Sequence, residues 1–177
     1  TGRETELESL KCWLSGSGRF AVLLGMQGIG KSSLAAMAFA DAGLPAMWHR
    51  ASALDSAERF AAELARFAVL PGFAFQGSRH PDAREVSAAL CSDRKNRLVV
   101  VSGYSHAAAS LDPLLEALVH GVGGLKIVLC CEAKPSFYGV PETSGGSVTE
   151  INLGGLDAEE TAELLEKRGI SGRANAK

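Results

Sequence analysis

Residues 25–32 read Gly25-Met26-Gln27-Gly28-Ile29-Gly30-Lys31-Ser32, directly after the short apolar run Phe20-Ala21-Val22-Leu23-Leu24. This matches G-x-x-x-x-G-K-[ST], a phosphate-cradling loop, and demands a buried strand before it and a helix after it. Its glycines let the backbone take positive φ and approach an anion closely, so consecutive N–H groups from Gln27 to Ser32 can surround a β-phosphate. The helix that starts there adds the positive end of its dipole. Lys31 is expected to reach the β- and γ-phosphates, the Ser32 hydroxyl to ligate Mg²⁺ and Ser33 to sit near the α-phosphate. The candidate nucleotide-binding set is therefore Gly25, Gln27, Gly28, Ile29, Gly30, Lys31, Ser32 and Ser33.

The rest of the chain alternates strand and helix signals. Leu7, Leu10 and Leu14 have helical spacing, and another helix is expected from Leu34 to Ala42. Pro45–Arg50 is the expected second strand. Asp55 with Glu58 reads as a capping pair opening a helix to about Leu70, ended by Pro71-Gly72, with a loop over 72–81. Asp82 with Glu85 opens another helix, to about Cys91. Leu98–Val101, Leu125–Cys130 and Val148–Leu153 are the expected third, fourth and fifth strands, with a helix over Leu111–His120 and a mobile loop over 133–147. Asp157 and Glu160 are expected to cap a last helix through Lys167. This order predicts an α/β/α three-layer sandwich on a mainly parallel five-stranded sheet.

A length of 177 residues favours one domain, and 46% apolar against 21% charged residues excludes disorder for most of it. A net charge of −2 argues against nucleic acid as a partner, since no overall positive field exists to hold a phosphate backbone. No apolar run approaches the ~20 residues of a membrane span, and Thr1-Gly2-Arg3-Glu4 is no secretory signal, so the expected location is cytoplasmic, without membrane association. The chain is expected to be a piece of a longer one. Cys12, Cys91, Cys130 and Cys131 lack zinc-site spacing and read as reduced, mostly buried thiols. His49, His80, His106 and His120 lack metal-ligand spacing too. Arg94, Lys95 and Arg97 read as a solvated basic turn, Trp13 and Trp48 as too few for a stacking platform, and Tyr104 as a packing residue.

Catalysis is another matter. The Arg97–Val101 run ends in Ser102-Gly103-Tyr104, where a phosphate-cleaving site needs a carboxylate for Mg²⁺. A serine hydroxyl brings no charge to offset the metal and is no base at neutral pH, so hydrolysis is expected to be slow or absent. Glu132, just past the fourth strand, is the acid able to compensate. Lys31 and Glu132 are thus the candidate catalytic residues.

Gly2-Arg3-Glu4-Thr5-Glu6 ahead of a leucine-bearing helix resembles the GRExE signature of STAND-class signal-transduction NTPases, which include NB-ARC and NACHT proteins. Met47-Trp48-His49-Arg50 is similar to their aromatic second strand, and Ile151–Glu160 to the segment opening their helical lid. The resemblance implies an ASCE/AAA+-like P-loop NTPase fold, with residues 1–153 as the nucleotide-binding domain and 154–177 as the start of a lid. It further implies a switch binding ATP or ADP with Mg²⁺, controlling neighbouring domains of the same chain or homo-oligomerisation, with Gly2 and Arg3 beside the adenine. Two positions depart from the family. Ser102-Gly103 stands where it has an acidic pair, and Cys130-Cys131-Glu132 stands where its fourth strand ends in a γ-phosphate-sensing arginine. Rival readings are an ATPase using Glu132, a non-binding interaction scaffold, and a DNA-loading relative of replication initiators, which also begin with a GRE-like segment.

Overall fold

The computed structural model describes residues 2–40, 42–68, 82–121, 123–155 and 158–167. The ends expected at Leu70 and Pro71-Gly72, the loop over 72–81, His80 and the Asp157 cap lie outside the described residues. The elements are α1 (Glu4–Ser15), β1 (Phe20–Leu24), α2 (Lys31–Ala40), β2 (Ala46–Arg50), α3 (Ala57–Ala68), α4 (Ala83–Ser92), β3 (Arg97–Ser102), α5 (Ala108–Val119), β4 (Leu125–Cys131), α6 (Val140–Ser144), β5 (Val148–Asn152) and α7 (Ala158–Lys167). The sheet order is β2-β3-β4-β1-β5, and every pairing is parallel.

Strands buried on both faces need apolar side chains on both, which explains the unbroken runs Phe20-Ala21-Val22-Leu23 and Leu98-Val99-Val100-Val101, all at most 1% exposed. Alternate residues feed two cores. Phe20, Val22, Val99, Val101, Ile127 and Leu129 pack with Phe60, Leu64, Val86, Leu90, Leu111 and Leu115 of α3, α4 and α5. Ala21, Leu23, Leu98, Val100, Val128 and Cys130 pack with Leu10, Trp13, Leu34 and Ala35 of α1 and α2. These are the three expected layers.

Several local expectations are corrected. Asp55 does not cap α3: Ser56 Oγ accepts the Arg59 N–H at 3.2 Å, while Asp55 turns inward and accepts the Ser52 N–H at 2.7 Å. The expected loop over 133–147 contains α6, opened by the Gly139 N–H donating to the Glu142 carboxylate at 2.7 Å. The helix expected from Leu34 begins at Lys31. Arg97 is not part of a solvated turn: it is 8% exposed, with its guanidinium on Asp93 and on the Ala68 carbonyl. Asp82 does cap α4, accepting the Arg84 N–H at 2.7 Å.

Candidate functional site

In a parallel sheet flanked by helices, ligands bind outside the carboxyl ends of the strands. Here that end carries the loop after β1, then Arg50, Ser102 and Glu132 at the ends of β2, β3 and β4. They surround one cavity of about 510 Å³, lined also by Gln27, Gly28, Gly30, Lys31, Ser32, Ser33, Trp48, Ser105, His106 and Cys130.

The loop is built as an anion cradle. Gly28 and Gly30 have φ of 81° and 103°, a left-handed backbone that strains any residue with a Cβ. A Cβ at either position would meet open space, so what forbids one is the backbone conformation rather than a neighbouring atom. Leu34 N–H is bonded back to the Gly30 carbonyl at 2.9 Å, which leaves the amides of Lys31, Ser32 and Ser33 as the unsatisfied N-terminus of α2. Lys31 is 9% exposed, and its Nζ donates to the carbonyls of Gly25 (2.7 Å) and Met26 (2.9 Å), holding its charge inside the loop's curve. A roomy cavity, free helix-terminal amides and a buried ammonium fit a polyphosphate.

At the end of β3 the Ser102 hydroxyl is already engaged. It donates to the His49 carbonyl at 3.3 Å and accepts the Trp48 indole N–H at 3.3 Å. Glu132 is exposed on the cavity wall, and its backbone N–H is held by Ser105 Oγ at 3.3 Å. Behind β2, the buried His49 ring lies 2.8 Å from the Glu63 carboxylate and 3.4 Å from that of Asp55, and packs against Phe60 with ring centroids 4.5 Å apart at a 41° tilt. This cluster fixes the side of β2 opposite Trp48 and Arg50. Cys130 is 3% exposed, and burial pushes its thiol up to about 11, against smaller opposing effects of Ser32 and Lys31. The thiol is therefore neutral at physiological pH and adds no charge to repel an anion.

No protein-family model and no curated protein matches the chain. Solved structures do match. The ORC2 protein of Aeropyrum pernix in its ADP form superposes with a TM-score of 0.66 at 19% identity, over 96% of this chain and 52% of that one. The Aeropyrum pernix ORC1 protein in complex with DNA gives 0.64 at 19%, over 94% and 49%, and Drosophila ORC bound to DNA gives 0.67 at 17%, over 93% and 46%. The fold is the P-loop α/β fold these structures share, a parallel five-stranded sheet flanked by helices. The chain spans about half the length of the structures it matches.

Of the residues singled out in the sequence, Gln27, Gly28, Gly30, Lys31, Ser32, Ser33 and Glu132 meet on the cavity wall. Gly25 and Ile29 shape the loop without lining the cavity. Gly2 and Arg3 lie off its wall as well: the Arg3 guanidinium is bonded to Glu6 at 2.8 Å and to the Gly154 carbonyl. Tyr104 is buried, with its hydroxyl on Asp112. Sequence reasoning missed Arg50 and gave Trp48 no place here. Their spacing of two along β2 was the available signal, since it puts both on one face. No group of residues able to hold a metal ion by protein ligands alone occurs among the described residues.

The expectation that the cysteines are mostly buried is corrected for Cys12, which is exposed, and Cys91, which is partly so. A thiol-alkylating reagent at neutral pH is therefore expected to modify Cys12 first and to leave Cys130 and Cys131 unmodified in the folded chain, because burial also raises Cys131. Peptide mapping after limited alkylation checks this; early labelling of Cys130 would show an open cavity floor.

Proposed function

We propose that the chain is an ATP/ADP-binding switch module of a STAND-like signalling regulator in the cytoplasm, with weak or absent hydrolysis. The observation that carries this is the pairing of a complete phosphate cradle around Lys31 with a β3 end whose hydroxyl is engaged by β2. In this reading backbone amides between Gln27 and Ser32 and the Lys31 ammonium hold the phosphates, Ser33 lies near the α-phosphate, and Ser32 would hold Mg²⁺, which supplies charge neutralisation between phosphate oxygens. Gly2 and Arg3 approach the adenine. Residues 1–153 form the nucleotide-binding domain and 154–177 begin a lid. Nucleotide state then governs contact with other domains of a longer chain or a second copy, each bound nucleotide stabilising its own arrangement by mass action.

The test has two parts. Denaturing the purified protein and running the extract on ion exchange identifies any retained nucleotide; recovered ADP or ATP supports the proposal. Phosphate release from ATP is expected to stay at background in the wild type and to be unaffected by Glu132→Gln. Brisk release lost in Glu132→Gln would establish the ATPase reading instead, and no retained nucleotide together with no calorimetric binding would leave the scaffold.

A second reading, DNA loading, is favoured by the likeness to chains solved with DNA. The net charge of −2 opposes it. Anisotropy with a labelled duplex at low salt decides between them; binding that weakens steeply with added salt would support DNA as a partner.

A further inference from the structure

Resting on the nucleotide reading, we infer that Arg50 reads the terminal phosphate of a nucleoside triphosphate, supplying from the end of β2 a charge that the end of β4 lacks. Among the charged residues lining the cavity, Lys31 and Arg50 are cations and Glu132 is an anion. The Lys31 ammonium is bound within the loop by the carbonyls of Gly25 and Met26. Arg50 has no such tie. Its side chain is exposed, and it makes no hydrogen bond or ion pair among the described residues.

Its place is set by the sheet. Arg50 is paired in register with Ser102, the residue that ends β3, and β3 in turn separates β2 from β4. Two further contacts fix this corner: the Trp48 indole N–H is bonded to Ser102 Oγ, and Ser102 Oγ to the His49 carbonyl. On the reverse face His49 lies between Glu63 and Asp55, so the strand end that presents Arg50 is anchored from behind.

The electrostatics select a side. Glu132 repels a phosphoryl group, and a carboxylate beside a phosphate in a partly enclosed cavity costs more than the same pair in open water. A cation across the cavity therefore decides where charge beyond Lys31 is tolerated. The guanidinium suits that task, because its planar fork donates two parallel N–H bonds to phosphate oxygens and keeps its charge at any working pH. A diphosphate held by Lys31 and the loop amides has no third phosphoryl group for Arg50 to meet. The residue thereby separates triphosphate from diphosphate.

The experiment is calorimetric titration of the full 177-residue chain with Mg²⁺-ATP and Mg²⁺-ADP, in wild type, Arg50→Ala, Arg50→Gln and Lys31→Ala. Charged hydrogen bonds of this kind correspond to about 10–100-fold in affinity. Arg50→Ala and Arg50→Gln are each expected to weaken ATP by that factor and to leave ADP within about twofold, inside the reach of an ordinary surface substitution. Equal weakening of both nucleotides, or of neither, overturns the inference while the cradle reading stands. Wild type that binds neither nucleotide, or Lys31→Ala that binds both undiminished, overturns the nucleotide reading itself and the inference with it. Thermal unfolding without nucleotide checks that each variant folds. Should Arg50→Ala unfold, Arg50→Gln, which keeps a polar side chain without the charge, decides alone.

Discussion

Lys31→Ala is expected to lower the affinity for ATP and ADP together by about 100-fold or more, because a charged donor to two phosphates contributes about 3 kcal/mol. The common loss follows from where the ammonium sits. It is buried in the loop's curve, between the carbonyls of Gly25 and Met26, so a polyphosphate lying on the amides of Lys31, Ser32 and Ser33 meets it whatever its length. Loss of the side chain has two opposed effects on the nucleotide-free fold. Two carbonyls lose a charged donor, and a desolvated cation disappears. The net change in melting temperature is expected to stay within about 4 °C, equivalent to about 1 kcal/mol. Calorimetric titration beside a thermal melt separates the two readouts. Unchanged affinity in a folded variant would remove Lys31, and with it the cradle, from the site.

Arg97→Ala is expected to destabilise the fold by about 3 kcal/mol, lowering the melting temperature by about 6–12 °C. The guanidinium joins the end of α4, through Asp93, to the end of α3, through the Ala68 carbonyl, with 10% of its side chain exposed. Removal takes the charged donor from the partly buried Asp93 carboxylate, which keeps only the Lys95 N–H, and leaves the buried Ala68 carbonyl without the guanidinium. The carboxylate is the sharper case. Burial works to raise it, but the Lys95 N–H and the Arg97 guanidinium together hold it below the usual value for an aspartate. A carboxyl depressed in the folded state contributes stability that is complete above its unfolded pKa of about 4 and is lost as the pH falls through the lower folded value. Wild type should therefore lose stability below about pH 4, and part of that acid sensitivity should vanish in Arg97→Ala. Denaturant melts at pH 7 and pH 3 check both points. A loss under about 1 kcal/mol would return Arg97 to the solvated surface that its sequence neighbours suggest.

What could be read in advance depended on how local the signal was. The loop at Gly25–Ser32 carries its own punctuation, and the runs ending at Leu24 and Ser102 are apolar on both faces, so strand, cradle and layer order followed directly. Asp55 shows the limit. Its spacing to Glu58 satisfies a capping pattern, but a buried histidine on the adjacent strand attracts the carboxylate and Ser56 caps the helix. Arg97 failed for the same reason, since its partner at Ala68 lies 29 residues away. Arg50 was invisible because its relevance comes from β2 lying beside β3 and from β3 lying beside β4, an order that no short window contains. The missed helix at Val140–Ser144 sits amid Pro and Gly, where composition speaks for a loop and one N–H to carboxylate bond decides otherwise.

The bonded position of Ser102 also bears on what a carboxylate would meet at the end of β3. Exchanging that serine for aspartate would place a carboxylate against the His49 carbonyl oxygen, acceptor facing acceptor, beside an indole N–H that competes with any metal-bound water. The end of β3 is thus tied to its neighbour β2, and a carboxylate introduced there would first have to unfasten the edge of the sheet.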